Sequence, residues 1–156
     1  MKDVTNNINN LDMQDAWVVF TGQTDLPWLK LLKPGFRHCY VLINDGRHWI
    51  SIDPLFPYTE IIVHHAPADF NFPAWLAGRG YQPVRAQIRR DRSGMAPIMI
   101  FTCVEAIKRI LGLHSWRILT PWQLYKYLVS QPNPPLKHKE ISYGRTCIRA
   151  QAPKTA

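Results

Sequence analysis

A short turn signal between two apolar runs constrains the fold more than any other feature of the sequence. Residues 37–44 (RHCYVLIN) and 47–53 (RHWISID) are rich in β-branched and aromatic side chains, and Asp45-Gly46 separates them. Asp-Gly in this position is typical of a two-residue type I′ turn, which needs positive φ at both central residues. The sequence therefore predicts an antiparallel hairpin in which Asn44 faces Arg47 and His38 faces Asp53.

Alternation with a period of two assigns the side chains of this hairpin to two faces. One face is polar at its open end, where His38, Tyr40, Ser51 and Asp53 lie together. The other face is mainly apolar and is expected to belong to the core. It carries Cys39, Val41, Ile43, His48, Ile50 and Ile52.

The rest of the chain reads as further strands and helices of one α+β domain. Strands are predicted at residues 16–21 (AWVVFT), 60–64 and 83–90, with a further candidate at 141–149, and residues 71–80 are predicted to form a short helix or turn. The domain is expected to span residues 15–150, between a flexible N-terminal arm at 1–14 and a tail at 151–156. The longest apolar stretch, from Ala96 to Val104, is far shorter than the roughly 20 residues of a membrane span.

Two helix starts are marked by capping signals. Thr102 and Glu105 have the spacing of a capping box, in which both side chains bond to amide groups at a helix start. Gly112 is a natural stop for this helix. Thr120, followed by proline, predicts a second helix start, and that helix is expected to end near Val129. The apolar stripe of the first helix consists of Val104, Ile107, Ile110 and Leu111.

The first of these helices begins with a cysteine, and this position has chemical consequences. At the first helical position, the amide donors and the helix dipole lower the pKa of the Cys103 thiol. A nucleophilic cysteine also needs a base and usually a group that orients the base, which His38 and Asp53 supply. We expect the helix to pack on the face bearing His38, which would complete a Cys-His-Asp set. The alternatives are a buried structural Cys103 and an ordinary sheet pair of His38 with Asp53.

Other reactive side chains are weaker candidates. Cys39 alternates into the apolar face and is expected to be a core thiol, and Cys147 lies in a basic terminal segment with no motif around it. His48 is a reserve base that would need a one-residue slip of the register. Residues 85–92 (RAQIRRDR) resemble a nucleic-acid patch, although no RNA- or DNA-binding signature accompanies them. No metal or cofactor is required by this chemistry.

Charge is distributed unevenly along the chain. The net charge is +8, but residues 1–78 carry five basic and eight acidic side chains, so the excess positive charge belongs to residues 79–156. This half forms either a solubilising surface or a contact for an anionic partner such as cell wall, lipid or nucleic acid. Three unpaired cysteines predict a reducing compartment such as the cytoplasm, and a polar start with no apolar run predicts no signal peptide. A protein acting on the cell wall would then need lysis, a holin-like route or association with a phage particle.

A histidine-bearing hairpin that precedes a cysteine-headed helix resembles the circularly permuted papain-like amidases, which are related to the NlpC-type cell-wall peptidases and to lecithin retinol acyltransferase. The resembling segments are residues 35–55 (GFRHCYVLINDGRHWISIDPL) and 100–112 (IFTCVEAIKRILG), with an extension over 119–128 (LTPWQLYKYL). The resemblance implies Cys103 as nucleophile and His38 as general base. Asp53 is the preferred third group, with Ser51 and His48 as alternatives.

The resemblance implies thiol-dependent hydrolysis or transfer at an amide or ester carbonyl. A cell-wall peptide is the favoured substrate, a lipid acyl ester is next, and the basic half of the chain favours an anionic one. Relatives often have small polar residues after the cysteine, whereas this chain has Val104-Glu105. The alternative functions are an inactive basic module that binds nucleic acid or another anionic surface, and a structural component of a phage particle.

Overall fold

A five-stranded antiparallel sheet organises the part of the chain that the computed structural model describes, which is residues 15–24, 27–89 and 102–132. The strands are β1 (Asp15–Thr21), β2 (His38–Asn44), β3 (His48–Pro54), β4 (Thr59–Pro67) and β5 (Gln82–Gln87), in the spatial order β4-β3-β2-β1-β5. The helices are α1 (Phe72–Ala77), α2 (Cys103–Leu111) and α3 (Pro121–Ser130), and a short 3-10 helix spans Pro27–Leu31.

The predicted α+β class with an antiparallel sheet is confirmed. The strands expected at residues 16–21, 60–64 and 83–90 and the short helix expected within 71–80 are present with bounds that differ by a few residues. The arm at 1–14, the strand candidate at 141–149 and the tail at 151–156 lie outside the described residues. None of the helices in the described ranges has the length and hydropathy of a membrane span.

The hairpin forms, but its predicted register is wrong by two residues. The turn is centred on Gly46-Arg47, because the Asp45 amide donates to the His48 carbonyl at 3.2 Å. The Asp45 carboxylate accepts from the amides of Arg47 and His48 at 2.7 and 2.6 Å, which keeps Asp45 outside the central pair. Only Gly46 then takes a positive φ, of 88°, as in type II′ turns, where glycine is the first central residue.

The shift moves the cross-strand pairs but keeps the two faces. Leu42 faces Ser51 and Asn44 faces Trp49, so the facing residues differ from the predicted ones by two positions. A shift by an even number of residues leaves each side chain on its own face, whereas a shift of one would exchange the faces. His38 and Asp53 therefore share a face, as predicted, although they are not directly opposite.

Helix α2 packs on the opposite face of the sheet from the one predicted. Its apolar side chains Val104, Ile107 and Leu111 are buried together with Cys39 and Val41, not with His38. The reason is hydrophobic complementarity, since the apolar stripe of α2 matches the apolar face of β2. Helix α1 covers the other face instead, in a smaller cluster made of Val19, Leu42, Trp49, Phe72 and Leu76.

The ends of α2 are determined by local hydrogen bonds and one glycine. The Thr102 hydroxyl accepts from the Glu105 amide at 3.2 Å, as predicted. The Glu105 carboxylate does not complete a reciprocal box but pairs with Lys108 at 2.8 Å and Arg109 at 3.3 Å. Gly112 ends the helix at a φ of 67°, a left-handed conformation that favours glycine.

Helix α3 begins with the complete capping box that α2 lacks. The Gln123 amide donates to the Thr120 hydroxyl at 3.3 Å, and the Thr120 amide donates to the Gln123 side-chain oxygen at 3.0 Å. Leu124 and Leu128 of α3 join the core on the α2 side of the sheet. The packing of α2 against β2 brings the start of α2 to the end of that strand, where the candidate site lies.

Candidate active site

The N-terminus of α2 meets the sheet where strands β2 and β3 separate. The ladder between them runs from the Val41–Ile52 pair to the Asn44–Trp49 pair, so the first three residues of β2 lie beyond it. Cys103, the first residue of α2, lies beside Cys39 and His38, which both lower the pKa of its thiol. Because Cys39 and His38 belong to opposite faces of β2, the sulfur of Cys103 reaches both faces at this strand end.

His38 and Asp53 form the second contact of the site. The His38 Nε2 atom lies 2.6 Å from Asp53 Oδ1, and their side chains are 13% and 24% exposed. Continuing the observed register places Tyr40, not His38, opposite Asp53, so the contact is a diagonal one across the sheet face, which long side chains can span. Since Nε2 faces Asp53, the ring nitrogen that remains for Cys103 is Nδ1.

The environment of this pair favours the charged forms of both groups. Burial by itself lowers the pKa of His38, but hydrogen bonds to Asp53 and Cys103 outweigh it and raise the pKa to about 9. The Cys39 thiol makes the largest contribution to lowering the pKa of Cys103, and burial acts against it by raising that pKa. His38 lowers the pKa further through a hydrogen bond and a positive charge, so that the pKa of Cys103 is about 5. An imidazolium-thiolate pair therefore predominates between about pH 5 and pH 9.

Cys39 has a role that the sequence did not reveal. It is fully buried in the core, as predicted, and burial raises its pKa well above that of an ordinary thiol. A thiol that stays protonated can donate its S–H to the thiolate of Cys103. The alternation of side chains along β2 predicted the face on which Cys39 lies, but it could not predict that the N-terminus of α2 would lie beside this thiol.

Two of the remaining candidate groups have partners other than Cys103 and His38. Ser51, considered as a third catalytic group, contacts His64 at 2.9 Å, and burial lowers the pKa of that histidine. His48 lies at the hairpin turn with half of its side chain exposed, 3.7 Å from an Asp45 carboxylate oxygen. Cys147 lies outside the described residues. Among residues 15–24, 27–89 and 102–132, no three histidine, cysteine or carboxylate side chains are grouped to hold a metal ion.

A cavity of about 710 Å³ opens beside the three residues and extends across the sheet to α1. Its volume is within the range of small-molecule sites in proteins. Cys103, His38 and Asp53 all contribute to its wall. Most of the remaining wall is apolar or aromatic, and includes Trp28, Leu42, Phe56, Phe72, Trp75 and Leu76.

Comparisons of the chain with protein families, with curated proteins and with solved structures found no match. The geometry of the site is therefore the main guide to its chemistry. A thiolate, an imidazolium and a carboxylate in contact beside a cavity can supply a nucleophile, a proton donor and an orienting group.

Proposed function

We propose that this protein is a thiol-dependent hydrolase or acyltransferase of amide or ester bonds, of the circularly permuted papain-like type. The observation that carries the proposal is the contact of Cys103 with His38, and of His38 with Asp53, at the wall of one cavity. Cysteine nucleophiles with lowered pKa values characteristically sit beside a charged histidine and at a helix N-terminus. Both conditions are met here.

In the first half of the reaction, the Cys103 thiolate attacks the carbonyl carbon of the substrate and forms a carbon-sulfur bond. The carbonyl electrons move onto the oxygen, and the tetrahedral intermediate then collapses with cleavage of the bond to nitrogen or oxygen. The His38 imidazolium gives its proton to the leaving group, which departs as an amine or alcohol. The products of this half are a Cys103 thioester and a neutral His38.

In the second half, neutral His38 removes a proton from a water molecule or an acceptor alcohol or amine. The activated oxygen or nitrogen attacks the thioester carbon, and the carbon-sulfur bond breaks with its electrons returning to sulfur. This releases the acid, or the transferred acyl product, and restores the imidazolium-thiolate pair. Asp53 keeps the imidazole oriented through its 2.6 Å contact with Nε2.

The developing negative charge on the carbonyl oxygen needs hydrogen-bond donors. The first amides of a helix have no acceptor within the helix, so the Cys103 amide can donate to an oxygen bound beside its own sulfur. The helix dipole of α2 acts in the same direction. The helix start thus contributes both to the nucleophile and to oxyanion stabilisation.

Trapping the acyl-enzyme tests this proposal. The protein would be incubated with p-nitrophenyl acetate, quenched in acid and examined by intact mass and peptide mapping. We expect a hydroxylamine-sensitive acetyl group on Cys103 that is lost in Cys103→Ala and retained in the matched variant Cys147→Ser. In His38→Ala, acylation below about pH 7 is expected to slow, because the thiolate loses a hydrogen bond and a positive charge, whereas p-nitrophenolate needs no proton to leave.

Absence of an acyl-enzyme in the folded protein, or its persistence in Cys103→Ala, would contradict the proposal. The basic half of the chain would then favour a binding module. That alternative predicts retention on polyanions, such as heparin or DNA, with an affinity that falls steeply with salt.

A further inference from the structure

The cavity beside Cys103 differs in charge from the chain as a whole. The chain has a net charge of +8, yet no lysine or arginine is found among the described residues of the cavity wall. Two carboxylates, those of Asp53 and Glu60, do belong to the wall. Because the thiolate and imidazolium of the catalytic pair cancel, these carboxylates leave the wall negatively charged.

The wall away from Cys103 is dominated by aromatic side chains that remain accessible. Trp75 of α1 is 41% exposed, and Phe56, in the connection between β3 and β4, is 75% exposed. Trp28 of the 3-10 helix is 59% exposed and lies on the same cavity. When an apolar group of a ligand covers accessible apolar side chains of a concave site, apolar surface is removed from water, and this favours binding.

Glu60 is placed to act on the charge of a ligand. It lies on β4 directly opposite Asp53 of β3, so its carboxylate is next to the catalytic group on the same sheet face. The wall aromatics can accept an alkyl or aromatic group, and the two neighbouring carboxylates repel an anionic one. Salt screens this repulsion only weakly when the ligand carboxylate lies closer to the two wall carboxylates than the screening length, which is about 8 Å at physiological salt.

We propose that the substrate carries an uncharged apolar group, alkyl or aromatic, next to the reacting carbonyl, and that Glu60 disfavours substrates with a carboxylate in this position. The proposal rests on the proposed function for the reacting carbonyl. It reverses the expectation of an anionic substrate, which came from the charge of the whole chain. A cell-wall peptide that places a free carboxylate in this cavity becomes a poor substrate.

Affinity alkylation of Cys103 tests the inference without requiring turnover. A series of N-alkyl iodoacetamides from ethyl to octyl would be compared with a probe of octyl length that ends in a carboxylate. Rates measured by intact mass in Cys147→Ser would be divided by the rate of each probe with a free thiol. We expect the rate constant to rise by up to about fourfold for each methylene that becomes buried, and no such gain for the carboxylate probe.

Matched variants locate the effect. Trp75→Ala is expected to remove most of the gain for octyl, whereas Trp116→Ala, an equally drastic change at a 67% exposed tryptophan outside the cavity wall, is expected to leave it unchanged. Glu60→Gln is expected to raise the rate of the carboxylate probe relative to the octyl probe by severalfold, and more at low salt.

The outcomes separate this inference from the proposed function. If Cys103 reacts with iodoacetamide no faster than a free thiol below pH 7, the proposed function fails. If Cys103 is reactive but the carboxylate probe matches or exceeds the octyl probe, only the substrate inference is overturned. It is also overturned if the alkyl gain is the same in Trp75→Ala as in Trp116→Ala.

Discussion

Alkylation of Cys103 as a function of pH gives the most direct measure of the site. A pKa near 5 in place of 9.0 means that the thiol is ionised four units below its ordinary range. The perturbation is pH itself, varied from 4 to 9 in the Cys147→Ser background, where Cys39 and Cys103 are the remaining thiols. Cys39 serves as an internal control because it is fully buried.

The magnitude follows from two opposing effects of the lowered pKa. At pH 6 about nine-tenths of Cys103 would be thiolate, against about one-thousandth of a thiol with a pKa of 9.0. A thiolate of lower basicity is less nucleophilic, and with a Brønsted coefficient of about 0.45 a four-unit difference slows it by about 60-fold. The net expectation is that Cys103 reacts about 15-fold faster than the ordinary thiol at pH 6.

The same reasoning predicts that the order reverses at high pH. At pH 9 the ordinary thiol is half ionised, so the lower nucleophilicity of Cys103 makes it the slower group, by about 30-fold. The two rate profiles should therefore cross at about pH 7. A merely exposed cysteine would show no crossing, because its rate would keep rising with pH.

The assay is the second-order rate constant for iodoacetamide, with the modified residue identified by peptide mapping. In His38→Ala the thiolate loses a hydrogen bond and a positive charge, so the midpoint of the profile should move to higher pH. Cys39 should stay unlabelled until the protein unfolds. The reasoning is refuted if Cys103 titrates near 8.5 to 9, or if His38→Ala leaves the profile unchanged.

Three further substitutions test the surroundings of the site. Lys108→Ala should lower the free energy of unfolding, measured by urea denaturation, by about 3–5 kcal/mol, because the buried Glu105 carboxylate loses its 2.8 Å partner. In the same assay, Lys126→Ala at an exposed position of α3 should change the free energy of unfolding by less than about 0.5 kcal/mol. Gly112→Ala should lower it by at least about 1 kcal/mol, because φ is 67° and the new Cβ would overlap a neighbouring carbonyl oxygen; a cost near zero in the same assay would contradict this. Asp53→Asn removes the carboxylate that helps raise the imidazole pKa, so the pH range in which His38 is charged should end below about pH 9 in an NMR titration of its ring. An unchanged limit would show that the carboxylate does not control the imidazole.

Several parts of the fold could be predicted because the forces behind them act between near neighbours. Asp45-Gly46 marks a turn through backbone conformation, Thr102 and Thr120 mark helix starts through amide donors one turn away, and Gly112 marks a stop. Alternation along residues 38–44 depends only on the geometry of one strand. The sequence by itself therefore determined the hairpin, the helix starts and the sharing of a face by His38 and Asp53.

The pairing register depended on a local contact that the predicted Asp45-Gly46 turn did not include: the Asp45 carboxylate accepts from the amides of Arg47 and His48 and moves the centre of the turn by one residue. The packing of α2, in contrast, depended on the tertiary structure. The stripe of α2 had two sheet faces available, and the choice between them was made by the burial of Cys39 and Val41 with the helix.

The chemical environment of Cys103 likewise required the assembled fold. The groups that lower its pKa, Cys39 and His38, lie more than 60 positions away in the chain. The cavity wall combines the 3-10 helix, four strands and two helices. Sequence alone determined which side chains could form a nucleophilic site. Tertiary structure decided that they meet at a strand end, and that an apolar wall with two carboxylates surrounds them, because long-range packing determines which distant segments share a surface.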